Sequence, residues 1–126
     1  MVTDTREATH SHSLSIDLSD AEVDRLFHAL ADSTRRDIVT RVIEREQSVS
    51  ELARKYSMSF AAVQKHVALL QRCALVSKER RGREQIVRGN LETVRRAVRL
   101  LDAYEELWRQ RTERIDDLLA EDTPKE

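Results

Sequence analysis

Apolar residues recur at intervals of three and four along most of the chain, the spacing that places side chains on one face of an α-helix. The pattern predicts five helices, with apolar stripes over residues 23–30, 38–43, 49–56, 63–70 and 94–119. Ile43 and Tyr56, which end the second and third stripes, are expected to face the core with the others. The last stripe covers about eight turns, which predicts a helix from residue 91 to about 119.

Residues that cap helices stand just before the stripes. Ser19 and Ser48 are each followed three positions later by a glutamate, the capping-box sequence in which serine and glutamate side chains satisfy backbone N–H groups reciprocally. Asp32, Ser59 and Asn90 can cap the remaining helices. A three-residue turn, 57–59, separates the third helix from the fourth, and this arrangement is typical of a helix-turn-helix.

Two strand-like runs, 75–80 and 84–88, follow the fourth helix. Between them lies Gly82, one of two glycines in the chain, at the point where a tight hairpin needs a positive φ. A helix-turn-helix followed by a hairpin is a winged helix. The predicted fold is mainly α with a small β-hairpin, in the order α-α-α-α-β-β-α and with a long C-terminal dimerisation helix. Its expected parts are a flexible arm (1–18), one winged helix-turn-helix domain (19–119) and a disordered tail (120–126).

Composition and charge narrow the class of protein. The chain of 126 residues has a single cysteine and no apolar run near the roughly 20 residues that cross a bilayer, so we expect a cytoplasmic protein without a membrane partner. The net charge is −1, yet residues 59–88 hold seven basic and two acidic residues, a net of +5. Phosphate binding responds to such local charge. The basic fourth helix and hairpin therefore predict a partner of double-stranded DNA.

Four segments, in this order, closely resemble the ArsR/SmtB family of winged-helix repressors. They read LFHALADSTRRDI over 26–38, SVSELA over 48–53 and MSFAAVQKHV over 58–67, followed by Leu75 and Val76 with the arginine-tipped hairpin. The resemblance runs from about residue 20 to 119. It implies a transcriptional regulator that acts as a symmetric dimer, binds a palindromic operator and usually represses its own promoter.

The outer face of the fourth helix carries the residues expected to read bases. Gln64 can pair bidentately with adenine, and Phe60 can contact a thymine methyl group, although a local contact with Met58 is an equally open role for Phe60. A structural role is likewise open for His66. The full set of expected DNA contacts is Ser59, Phe60, Ala61, Gln64, Lys65, His66, Arg80, Arg81 and Arg83, with Thr34 and Arg35 added by analogy with the family.

The last helix has more apolar surface than so small a domain can cover, and it contains the only tryptophan. We therefore expect a homodimer in which this helix and the first one pack against their symmetry mates. The expected interface residues are Val23, Phe27, Val94, Val98, Leu101, Tyr104, Leu107, Trp108, Ile115 and Leu118.

The motifs of the metal-sensing members are missing, because segment 50–54 has no cysteine pair and segment 91–119 has no histidine. No metal or cofactor is expected, and no effector can be named. A metal-, arsenical- or redox-responsive repressor stays open as an alternative, using Cys73 or a histidine: His10, His12 or His28. So does a winged-helix adaptor that binds proteins. An enzyme is not expected, since no phosphate-binding glycine loop or HExxH motif occurs.

Overall fold

The computed structural model describes residues 17–122. In chain order the elements are α1 (Asp20–Leu30), α2 (Ser33–Glu44), β1 (Gln47–Ser48), α3 (Val49–Ala53), α4 (Phe60–Arg72), β2 (Val76–Arg81), β3 (Glu84–Gly89) and α5 (Leu91–Asp122). The mainly helical winged fold is confirmed, with one strand more than predicted. Helix α5 continues past the expected end at residue 119, and all but the last two residues of the expected arm lie outside the described range.

Clustering of contacts divides the described chain into two compact units. One contains residues 18–95 and therefore every element from α1 to β3, and the other contains residues 96–122 together with Asp17. In the second unit, Arg99 and Arg96 hold the Asp17 carboxylate at 3.0 and 3.4 Å. None of the helices within residues 17–122 combines the length and the apolar content that a membrane-spanning segment requires.

The predicted caps define where the helices begin. In both capping boxes the serine hydroxyl accepts from the glutamate N–H, at 3.1 Å for Ser19 and 3.0 Å for Ser48, and the glutamate carboxylate accepts from the serine N–H. Asp32 and Ser59 cap α2 and α4 with single bonds of 3.2 and 3.1 Å. The Asn90 side chain accepts from the N–H of Glu92, in the first turn of α5. Each bond spans at most three residues, which is why the sequence predicted these helix starts well.

The sheet has the order β1-β3-β2, and both pairings are antiparallel. Arg81 lies opposite Glu84, so only Gly82 and Arg83 form the hairpin turn, and Gly82 has the predicted positive φ of 65°. Strand β1 was missed because two residues are too few to show an alternating pattern. Its pairing of Gln47 with Val87 attaches the segment before α3 to the hairpin.

The core of the first unit comprises the apolar stripes of α1 to α4 together with the inner face of the hairpin. Its fully buried large side chains include Leu26, Ile38, Leu52, Val63, Val67, Leu70, Leu75 and Val87. Ile43 was wrongly expected to face the core: it is 54% exposed, at the end of α2. Ile43 packs so closely against the backbone of Gly89 that a Cβ added to Gly89 would lie 2.7 Å from Ile43 Cγ1. This contact therefore requires glycine at position 89.

The turn between α3 and α4 is longer than predicted. Helix α3 ends at Ala53, so the connection spans residues 54–59 instead of three residues. Tyr56 lies in this connection rather than on a helical stripe, and its hydroxyl donates to Asp37 at 2.5 Å. Burial and this bond raise the pKa of Tyr56 to about 12. The Arg41 guanidinium, 5.7 Å from the ring centroid, completes a cluster that anchors the turn on α2.

Candidate DNA-binding surface

Helix α4 divides cleanly into an inner and an outer face. Val63, Val67 and Leu70 are buried, whereas Gln64 and Lys65 point outward. Phe60, in the first turn, is 47% exposed, and its neighbour Ala61 is exposed as well. No hydrogen bond or ion pair joins the side chain of Gln64 or Lys65 to another residue within 17–122. The helix thus presents an amide, an ammonium group and an aromatic ring that the described fold itself does not use.

The N-terminus of α4 is held by Ser59, whose hydroxyl oxygen accepts from the N–H of Ala62. The hydroxyl proton remains available as a donor, because the cap uses only an acceptor lone pair. The partial positive charge of a helix N-terminus favours a phosphate at the same place. Cap and anion binding are therefore compatible at Ser59.

Arg35 and His66 lie together behind the recognition surface. The Arg35 side chain is only 12% exposed, and it donates to the carbonyl oxygens of Ala29 at 2.8 Å and His28 at 3.1 Å. Its Nη1 lies 3.3 Å from Nδ1 of His66, and Asp32 Oδ2 lies 3.5 Å from the same nitrogen. These contacts tie the end of α1 and the start of α2 to the middle of α4. They favour a structural role for Arg35 over the phosphate contact expected by analogy.

The hairpin arginines occupy different environments. Arg81, an expected DNA contact, forms ion pairs with Glu46 at 2.9 Å and with Glu79 at 3.4 Å. The Nε of Arg80 donates to the carbonyl of Gly82 across the turn. Arg83 is exposed and has no ion pair with any residue in the described range. Of the three, Arg83 is therefore the most available for a phosphate. Thr34, in the first turn of α2, is half-buried.

One acidic residue beside the wing, Glu46, was missed by sequence reasoning. Glu46 precedes β1 and pairs with Arg81 and with Arg88, at 2.9 and 2.7 Å. Hydrogen bonds from these two guanidinium groups lower the pKa of Glu46 below its ordinary value, so it is ionised at neutral pH. Glu46 lies outside the basic segment 59–88, and only the unpredicted β1 brings it beside the hairpin. No local signal in the sequence could have placed it there.

The groups considered for metal or redox sensing do not converge. Across the described ranges, no three side chains of His, Cys, Asp or Glu lie close enough to hold a metal ion. His28 is exposed on α1, whereas His10 and His12 lie outside the described residues. Cys73 is half-buried and donates to the carbonyl of Leu70, and burial raises the pKa of its thiol. A raised pKa leaves less of the reactive thiolate.

Helix α5 carries a stripe of exposed apolar side chains. Leu101, Trp108 and Ile115 repeat at seven-residue intervals, and Trp108 is 66% exposed. The other exposed members on this helix are Val98, Tyr104, Leu107, Leu118 and Leu119, while Val94 is half-buried. On α1, Phe27 is exposed and Val23 half-buried. A repeat of seven residues is the spacing at which helices pack along their length.

Comparison with known proteins identifies the group to which this fold and surface belong. The family described as "Bacterial regulatory protein, arsR family" matches residues 32–78. The uncharacterized HTH-type transcriptional regulator YuzN of Bacillus subtilis is 34% identical over 83 residues, which cover 60% of this chain and 90% of that protein. For another curated regulator, 40% identical over 63 residues, the chain spans 59% of its length.

Solved structures with a similar fold belong to the same group of regulators. An ArsR-like transcriptional regulator from Rhodococcus sp. RHA1 is 34% identical with a TM-score of 0.71, and the match covers 78% of this chain and 92% of that one. A possible ArsR-family regulator of Mycobacterium bovis, Mb0332, has a homodimeric winged helix-turn-helix DNA-binding domain in solution; it is 26% identical with a TM-score of 0.56, covering 71% and 91%. The relatives are regulators rather than enzymes. The chain thus belongs to the ArsR family of winged helix-turn-helix transcriptional regulators.

Proposed function

We propose that this regulator is a homodimeric repressor that binds a palindromic operator, its own promoter included, through helix α4. The observation that carries the proposal is the outer face of α4. Gln64 and Lys65 are exposed there without hydrogen bonds to the described chain, while the helix is held in place by its Ser59 cap and its buried inner face. A rigid helix with unused polar side chains is what direct readout of the major groove requires.

The residues divide into those that read bases and those that hold the backbone. The Gln64 amide can donate to N7 and accept from N6 of one adenine only if it approaches in the base plane, so it is the proposed specificity residue. Phe60, one turn earlier, contacts a thymine methyl group. Lys65 and the Ser59 hydroxyl bind phosphate, and so does Arg83 at the hairpin tip. His66 is a positioning residue, since its ring nitrogen already faces Arg35.

A dimer is supported by the apolar stripe of α5 and by the homodimeric state of the M. bovis relative. In a two-fold pair, the apolar stripe of α5 packs against the same stripe of the partner. Phe27 of α1 packs against the partner as well. Two α4 helices then enter successive major grooves about 34 Å apart, one turn of DNA. Because the two-fold axis of the dimer relates the half-sites, the operator is a palindrome. A dimer bound over a promoter represses transcription by excluding the polymerase.

The test is a footprint on the protein's own upstream region, followed by binding measurements with operator and mixed-sequence duplexes. Gln64→Ala should weaken operator binding by about 1–3 kcal/mol and leave binding to mixed-sequence DNA unchanged. Lys65→Ala should weaken both alike and reduce the salt slope by about one phosphate for each protomer, or about two for the dimer. Gln71→Ala, which removes an exposed glutamine from the far end of the same helix, is the matched control.

Two outcomes would contradict the proposal. If Gln64→Ala and Lys65→Ala gave the same sequence-independent loss, the division into base and phosphate contacts would be wrong. If binding to bulk DNA hardly changed with salt concentration, few phosphates would be neutralised, and a protein-binding adaptor would be the better interpretation.

A further inference from the structure

Four charged side chains form a closed network on the outer face of the sheet. We name Glu46, Glu79, Arg81 and Arg88 the wing network. Glu46 accepts from Arg81 at 2.9 Å and from Arg88 at 2.7 Å. Glu79 accepts from Arg88 at 3.1 Å and from Arg81 at 3.4 Å. Each arginine therefore contacts both carboxylates, and the network as a whole is electrically neutral.

The register of the sheet explains how the network forms. Glu79 and Arg81 are two residues apart on β2, so their side chains leave the same face of the sheet. Arg88 lies on that face as well, because it is the register partner of Ser77. Gln47 on β1 pairs with Val87, and the residue before it, Glu46, therefore extends toward Arg88. Two acids and two bases are brought together by a register that no single strand determines.

The network lowers the charge that the wing can offer to a polyanion. Arg81 and Arg88 are two of the five basic residues of the hairpin, 76–89, yet each forms ion pairs with both carboxylates of the network. All four side chains are about half exposed, so these ion pairs contribute little to stability and can exchange partners. Arg83, at the tip, has no acidic partner within the described residues. The wing thus combines two restrained cations with three, Lys78, Arg80 and Arg83, that form no ion pair with any residue from 17 to 122.

We propose that Glu46 and Glu79 determine specificity by restraining Arg81 and Arg88, so that the wing neutralises few phosphates on DNA of arbitrary sequence. The inference rests on the proposed DNA-binding function and concerns its regulation by charge. Non-specific binding depends almost entirely on the number of phosphates neutralised, whereas operator binding gains from the base contacts of α4. Restraining two arginines therefore weakens the competing non-specific complexes more than the specific complex.

The test compares Glu46→Gln with Glu44→Gln in the full-length protein. Both substitutions remove one negative charge without changing side-chain size, but Glu44 is an exposed residue at the end of α2 outside the network. Affinity for a mixed-sequence duplex is measured over a range of salt concentrations. Glu46→Gln should bind about three- to tenfold more tightly than Glu44→Gln near physiological salt, with a salt slope steeper by about one phosphate for each protomer. The ratio of operator to non-specific affinity should fall.

A double-mutant cycle identifies the responsible cation. Arg81→Ala in the otherwise unchanged protein should alter non-specific binding less than twofold, because this arginine is already neutralised. Because Glu46 holds both arginines, the same substitution in the Glu46→Gln background should remove part of the gain, and Arg81→Ala together with Arg88→Ala should remove most of it. Glu46→Asp, which keeps the charge, should retain the slope of the unchanged protein. Glu79→Gln provides a second entry into the network and should also increase non-specific affinity.

Equal affinities and slopes for Glu46→Gln and Glu44→Gln would overturn the inference, and so would a gain that survives the removal of both Arg81 and Arg88. In either case the unchanged protein would still bind DNA, so the proposed function would stand. If the unchanged protein failed to bind DNA even at low salt, the proposed function and this inference would fall together. Circular dichroism and thermal melts of each variant verify that the fold is kept.

Discussion

Substituting Trp108 by alanine tests the dimer most directly. The ring lies in the middle of the apolar stripe of α5 and is 66% exposed in the single chain. An aromatic side chain of this kind buries about 150–250 Å² when fully covered. About two thirds of that area, roughly 100–160 Å², remains for a partner to cover. At about 25 cal/mol per Å² this corresponds to roughly 2.5–4 kcal/mol for each ring.

A symmetric dimer contains the ring twice, but incomplete burial and the entropy lost when each ring is immobilised reduce the net effect. We therefore expect Trp108→Ala to weaken dimerisation by about 3 kcal/mol, which raises the dissociation constant roughly a hundredfold. Trp108→Phe retains most of the apolar area and should raise it by less than about tenfold. Helix content should not fall in either variant, because alanine is the strongest helix former and phenylalanine has a helix propensity similar to that of tryptophan.

The assay is sedimentation equilibrium over a dilution series, with Glu113→Ala as the control on the same helix. Glu113 is exposed and lies outside the apolar stripe. Trp108 is also the chain's only tryptophan, so its fluorescence in the unchanged protein should shift to the blue as dimers form. The reasoning would be refuted if Trp108→Ala and Glu113→Ala dimerised equally well, or if the unchanged protein sedimented as a monomer at every concentration.

The remaining predictions concern a buried arginine that supports the recognition helix and the backbone strain at two residues with a positive φ. Arg35→Ala should destabilise the fold by about 2–3 kcal/mol in urea denaturation, because a largely buried guanidinium that bonds the carbonyls of Ala29 and His28 is lost. Arg36→Ala, which removes one exposed bond to the Leu30 carbonyl, should cost less than about 1 kcal/mol, and equal losses would contradict a positioning role for Arg35. Ala74→Gly should stabilise the protein by up to about 1 kcal/mol in thermal melts. Ala74 directly follows the C-cap of α4 and has a φ of 61°, which glycine adopts without strain. Gly82 has a φ of 65°, and a Cβ added there would meet no other atom within 4 Å. Gly82→Ala should therefore lower the stability by a similar amount through backbone strain alone. If both substitutions changed the stability in the same direction, backbone strain would not be the cause.

The starts of the helices and the hairpin turn could be predicted from the sequence because their causes are local. A capping box joins residues three positions apart, and a positive φ at Gly82 is a property of one residue in a two-residue turn. The apolar periodicity of α4 likewise separates its buried face from the face that carries Gln64 and Lys65. The choice of Gln64 as the base-reading residue remains a prediction, as does the dimer.

The roles of the charged residues could not be predicted in this way. Arg35 and Arg81 both appeared as candidates for phosphate contacts, yet one bonds helix carbonyls and the other pairs with Glu46. The sequence alone determined the order of the helices and of the hairpin strands, the caps and the outer face of α4, because each depends on neighbours within one or two turns. Only the tertiary structure decided which cations remain available. The wing network joins residues up to 42 positions apart, and Coulomb attraction between such groups depends on the distance that folding creates between them.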